Sequence, residues 1–208
     1  GLTYTFHLRK STWSNGKPVT AQDFVYAWKR TVNPATKAQY AYLYSGIKNA
    51  DAIMAGKKSA SSLGVEAKGK YTFVVHLERA VPYFNTMLTN PAFYPQSKAA
   101  VTKYGKNYGT KSTAILTNGP YTLKNWNGTG DSWTETKNSK YWDAKDVHVK
   151  TIKTQVIKDG TTATSLFKSG KLDDVALSGA QATAAKSNKS YNTIKADSTY
   201  YLYLNEKK

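Results

Sequence analysis

Cysteine is absent from the 208 residues, so neither a disulfide framework nor a thiolate metal site can be built. Acidic residues are scarce, 13 against 30 lysines and arginines, and the formal charge is +17. Arginine itself is nearly missing. Only Arg9, Arg30 and Arg79 interrupt a basic complement that is otherwise lysine, spread along the chain rather than gathered into blocks. Nucleic-acid readers use arginine for bidentate and stacking contacts and concentrate their cations on one face, so this distribution argues against a nucleic-acid partner. A solvated lysine-rich surface beside a polyanionic wall or membrane suits it better. No apolar run approaches the roughly 20 residues of a membrane-spanning helix.

Catalytic groups are equally sparse. His7, His76 and His148 are the only histidines, and the first two fall on the polar face of predicted strands, where a solvent-facing or cross-strand role is ordinary. Asp173 and Asp174 are adjacent in a predicted strand and so point to opposite faces. The run GKNYGTKST, Gly105 to Thr113, fails as a phosphate loop because Thr110 separates Gly109 from Lys111. No His, Asp and Glu set has metal-ligand spacing. These absences predict a protein that is not an enzyme and carries no cofactor or metal.

What is present is a globular pattern, 40% apolar and 13% aromatic. Leu2 to Arg9 alternate as a half-buried strand, broken by the Ser14-Asn15-Gly16 turn. Thr20 with Asp23 forms a capping box for a helix whose apolar stripe is Phe24, Val25 and Trp28, stopped by Asn33-Pro34. A helical stretch is expected over Tyr40 to Ala55, a strand over Lys70 to Glu78 with Tyr71, Phe73, Val75 and Leu77 on one face, and a short helix over Val81 to Leu88.

Past about residue 98 the composition turns to Thr, Lys, Gly and Asn with strand-like islands. A hairpin is predicted across Asn127-Gly128-Thr129-Gly130, joining strands at Tyr121 to Leu123 and Ser132 to Glu135. Beyond it come a strand over Val147 to Ile157, a helix over Thr161 to Lys168, a strand over Asp173 to Leu177, a helix over Ala180 to Lys186 and a closing tyrosine-rich strand. The irregular alternation predicts a mixed α/β or α+β fold in two subdomains, 1–98 and 99–208. Strands at both extremes suggest a segment of a longer protein.

Sixteen tyrosines and five tryptophans exceed what such a core needs. In the closing strand Tyr200, Leu202 and Leu204 share one face, leaving Tyr201 and Tyr203 on the other. A ring with a polar tip suits a ligand cleft, and a second core layer is the competing use.

The order of blocks is informative. YTFHLRKSTWSNGKPVTAQDFVYAWKRTVNP, then AQYAYLYSGIKNADAIMAGKKSASSLGV, VPYFNTMLTNP, TNGPYTLKNW, NSKYWDA, FKSGKLD and YYLYLN resemble, in family order and over essentially the whole chain, the extracellular solute-binding proteins of family 5. The resemblance implies a type II periplasmic-binding-protein-like fold, here partial: a small α+β extra domain at 1–98 and part of the first lobe's main domain at 99–208, without the second lobe. It implies a substrate-binding subunit of an ABC importer that captures oligopeptides between two lobes and serves a permease. It further implies a monomer at the outer face of a cytoplasmic membrane, held there by a lipid anchor outside this chain, and the lysine-rich, Thr/Ser/Asn-rich composition points to a Gram-positive one. The implied peptide contacts are Tyr40, Asn90, Ala176, Leu177, Ser178, Tyr201 and Tyr203. Alternatives are another cargo on the same fold (a signalling or wall peptide, a sugar or a metal chelate) or a wall-binding adhesion module. High salt would abolish adhesion driven by net charge and spare cleft binding.

Overall fold

The computed structural model describes residues 1–194, Thr199 and 201–204. It divides into two compact units, Gly1–Gln155 and a second beginning at Val156.

The first unit opens with β1 (Thr3–His7), whose residues alternate between exposed and half-buried as the sequence pattern requires. α1 (Ala21–Val32) follows. Its start is set by the predicted box: the Asp23 carboxylate accepts from the Thr20 backbone N–H at 2.8 Å and from its hydroxyl at 2.9 Å. Then come α2 (Ala50–Met54), β2 (Val65–Ala67), β3 (Thr72–His76), α3 (Phe84–Met87) and α4 (Lys98–Tyr104). β3 is the central strand of an antiparallel sheet in the order β1-β3-β2, with Tyr4 opposite Val75 and Phe6 opposite Phe73. One face of this sheet, α1 and the segments after it enclose the core, which includes Val25, Trp28, Tyr44, Ile47, Phe73, Val75, Phe84 and Phe93. Fully burying a side chain of this size is worth roughly 1.5–3 kcal/mol, so this cluster dominates the stability of the unit.

A second antiparallel sheet in the same unit comprises β4 (Tyr121–Lys124), β5 (Ser132–Lys137) and β6 (Thr151–Gln155), in that order. The predicted hairpin turn is held by one side chain, Asn127 Oδ1, which accepts from the amides of Thr129 at 3.1 Å and Gly130 at 2.7 Å. The segment around residue 12 is tied to this region: Ser14 N donates to Thr117 O at 2.7 Å, and the Thr12 hydroxyl to Lys140 O at 3.2 Å. Residue 98, where the texture of the sequence changes, opens α4 inside this unit. The second unit holds α5 (Gly160–Lys168), capped by Asp159, and α6 (Gly179–Ala185).

Several expectations are corrected. The helix expected over Tyr40 to Ala55 is instead a 3-10 turn at Ala41–Tyr44 and the separate α2. Gly46 and Asn49 take positive φ values of 95° and 69° between them, which lets Ile47 bridge to Leu77 and bury itself in the core. The strand expected over Val147 to Ile157 shortens to β6 because its partner β5 offers pairing only from Ser132 to Thr136. Asp173 to Leu177 is not a strand: no other strand lies in the second unit among the described residues, so its backbone has no ladder to join. Tyr201 to Leu204 are likewise not a strand, while Tyr200 and residues 205–208 lie outside the described residues. β2 and α4 carried no strong periodic signal in the sequence.

Candidate functional site

Trp28 sits at the centre of the aromatic core and organises the strongest candidate surface. Its ring meets Tyr44 edge-on at 5.4 Å and Phe93 at 5.3 Å, and its indole N–H donates to the Phe93 carbonyl at 2.9 Å. Tyr44 packs against Phe93 with ring centroids 4.6 Å apart and planes tilted by 32°, and donates its hydroxyl to the Ala92 carbonyl at 2.7 Å. These contacts bolt two short turns together, Ala41–Tyr44 and Pro91–Phe93. Burial pushes the Tyr44 phenol well above its ordinary range, which keeps it a neutral donor.

Tyr40 and Asn90, two of the residues implied by the resemblance, stand at the N-cap positions of these joined turns. Tyr40 is 52% exposed, whereas Tyr44 is fully buried, so the turn separates a surface ring from a core ring. Asn90 is half-buried, and its Oδ1 accepts from the Ala92 amide at 2.9 Å, making it a cap as well as a surface group. Tyr42, which the sequence reading did not single out, is also exposed, and its ring lies 6.2 Å from that of Tyr40. The signal was present as the spacing Tyr40, Tyr42, Tyr44, but an α-helical reading of that stretch gave the rings the wrong phase.

In the second unit Ala176 and Leu177 line a cavity of about 1290 Å³ whose other walls come from α5, α6 and residues 187–194. Ser178 is instead the N-cap of α6 and does not line it. Tyr201 and Tyr203 are 78% and 86% exposed, and so are their neighbours Leu202 and Leu204, so the expected two-faced alternation is not expressed.

A groove of about 590 Å³ in the first unit is lined by none of the seven implied residues. Its walls include Phe24, Trp28 and Phe93, and at its edge the Arg9 guanidinium lies 3.9 Å above the Trp142 ring. His76 Nδ1 lies 3.3 Å from the Thr3 hydroxyl and its Nε2 3.3 Å from Glu66, a cross-strand role on the polar face of the sheet. No group of three or more His, Cys, Asp or Glu side chains is placed to hold a metal among the described residues. No described helix is long and apolar enough to cross a membrane.

A family model for the bacterial extracellular solute-binding proteins, family 5 Middle, matches residues 1–208. The chain belongs to this family. Among curated members, a dipeptide-binding protein of Lactococcus lactis subsp. cremoris is 40% identical over 99% of the chain and 38% of its own length. The periplasmic oligopeptide-binding protein OppA of Salmonella typhimurium is 42% identical over 82% of the chain and 32% of its own length. The chain thus spans about a third of the length of these relatives. Among solved structures, Listeria monocytogenes OppA bound to peptide superposes with a TM-score of 0.87 at 43% identity, covering 90% of this chain and 37% of that one. The pheromone receptor PrgZ, solved for its mode of peptide binding, gives 0.87 at 42% identity, covering 91% and 38%. The fold is therefore that of part of a periplasmic-binding-protein-like family 5 member. Members of this family are solute-binding proteins.

Proposed function

We propose that the chain forms one wall of an oligopeptide receptor, the substrate-binding subunit of an ABC importer. The observation that carries this reading is an exposed tyrosine turn, Tyr40 to Tyr44, fixed to the core through Tyr44 in a chain similar throughout to peptide-binding relatives. An extended peptide can be held by its backbone as an added strand, with roomy, water-filled pockets accepting varied side chains. Tyr40, Asn90, Ala176, Leu177, Ser178, Tyr201 and Tyr203 contribute to this wall. The facing wall belongs to a second lobe, and closure of the two lobes presents the loaded state to the permease. Residues 1–98 correspond to the small extra domain and 99–208 to part of the first lobe's main domain. The receptor is a lipid-anchored monomer at the outer face of a Gram-positive membrane. It binds and releases its cargo without chemistry.

The test is peptide uptake by a strain carrying Tyr40→Ala or Tyr201→Ala in the whole receptor. Uptake falls while the purified variants keep the wild-type melting curve. Loss of folding would assign that tyrosine to the core instead. The 208-residue chain alone, lacking half the contacts and the closing motion, binds short peptides weakly, and a micromolar Kd in calorimetry would contradict that.

A further inference from the structure

The turn that presents Tyr40 presents a second ring, Tyr42. We infer that Tyr42, paired with Tyr40, is a specificity-determining residue: together they form a two-ring ledge on a fixed backbone turn that takes an aromatic side chain of the bound peptide in preference to a small one. This rests on the peptide-receptor reading above.

Local geometry sets the direction of Tyr42. In a 3-10 turn successive side chains rotate by about 120°, so pointing Tyr44 into the core turns Tyr42 away from it. The exposures agree, with Tyr42 at 62% and Tyr44 at 0%. The rings of Tyr40 and Tyr42 are 6.2 Å apart and tilted by 44°, inside the range of about 4.5–7 Å at which aromatic pairs attract. Each still has most of its surface open, so a third ring can pack against the pair without displacing anything.

The ledge is also pre-formed. Leu43 N donates to Tyr40 O and Ser45 N to Tyr42 O, both at 3.1 Å, and the Tyr44 hydroxyl fastens the turn to Ala92 at 2.7 Å. Only the two side-chain torsions of each ring remain to be ordered on binding, which is why tyrosine gives large contact area at low entropic cost. Neither the Tyr40 nor the Tyr42 hydroxyl has a protein partner among the described hydrogen bonds, so each can meet a peptide carbonyl or a bridging water. A small side chain would leave this apolar surface wet, whereas an aromatic one would cover it.

The experiment is calorimetric titration of the whole receptor with tetra-alanine and with the four tetrapeptides that carry one phenylalanine each. At least one phenylalanine peptide is expected to bind roughly threefold to tenfold tighter than tetra-alanine. Tyr42→Ser brings that ratio to within about twofold of unity, and Tyr42→Phe, which keeps the ring, preserves it. If wild type shows no preference, or the preference survives Tyr42→Ser, the ledge is not a selectivity element although the protein remains a peptide receptor. If no peptide of this set or a longer one binds, the receptor reading itself falls and this inference with it.

Discussion

Replacing Tyr44 by phenylalanine removes one oxygen from the centre of the candidate wall. The ring contacts to Trp28 at 5.4 Å and Phe93 at 4.6 Å survive, so the change isolates the hydrogen bond to the Ala92 carbonyl. A neutral intramolecular hydrogen bond contributes about 0.5–1.5 kcal/mol net, and the part-buried Ala92 carbonyl keeps the loss in that range. The carbonyl belongs to the turn capped by Asn90, and the phenol to the turn that presents Tyr40. The expected result in urea denaturation is a loss of about 0.5–1.5 kcal/mol with an unchanged slope, together with faster amide exchange at Leu43 and Ser45. Tyr40→Ala, made at an exposed ring, is the control and shifts stability by no more than about 0.5 kcal/mol. Tyr44→Ala adds a cavity and costs about 3–5 kcal/mol or more. A Tyr44→Phe chain within about 0.3 kcal/mol of wild type, or a Tyr40→Ala chain destabilised as much as Tyr44→Phe, would refute the division of this turn into a core anchor and a surface ring.

Asp23→Ala removes the acceptor for both the Thr20 amide and hydroxyl and destabilises α1 by about 0.5–2 kcal/mol, read by denaturation, with Asp23→Asn recovering part of it. Gly64 has no positive φ, yet a Cβ there would lie 2.6 Å from Lys48 Cβ and 2.8 Å from the His76 carbonyl; Gly64→Ala therefore costs about 1–3 kcal/mol from overpacking, and a neutral outcome in the same assay would contradict that contact. The hydrogen bond with His76, with Lys68 adding and burial opposing, holds the Glu66 carboxyl below its ordinary value of 4.5. Since the folded value is the lower one, the stabilisation is present above the unfolded value and disappears as pH falls through the folded value. Glu66→Gln is accordingly less stable than wild type at neutral pH and equal to it in acid, and a gap that persists in acid would point to packing instead.

Elements whose signals are local were legible in the residues. The Thr20–Asp23 box placed the start of α1, Asn127 and its glycines placed the hairpin turn, and strict alternation placed β1, because each depends on groups within a few residues of one another. The order of blocks identified the family for the same reason, since order is a property of the chain. The site was legible only in part. Tyr40 and Asn90 were named as separate positions, but their arrival on two bolted turns depends on Tyr44, Phe93 and Trp28 meeting across a separation of up to 65 residues. Tyr42 was missed because a helical period was assumed where burial of Ile47 and two left-handed residues enforce a break.

Pairing decided the remainder. Asp173 to Leu177 and Tyr201 to Leu204 have sequences that suit a strand, but a strand exists only when another supplies its hydrogen bonds, and none does so among the described residues. By itself, then, the sequence determined the caps, the turns, the apolar faces and the family. The tertiary structure decided which tyrosines are core and which are surface, because that depends on what packs behind each ring.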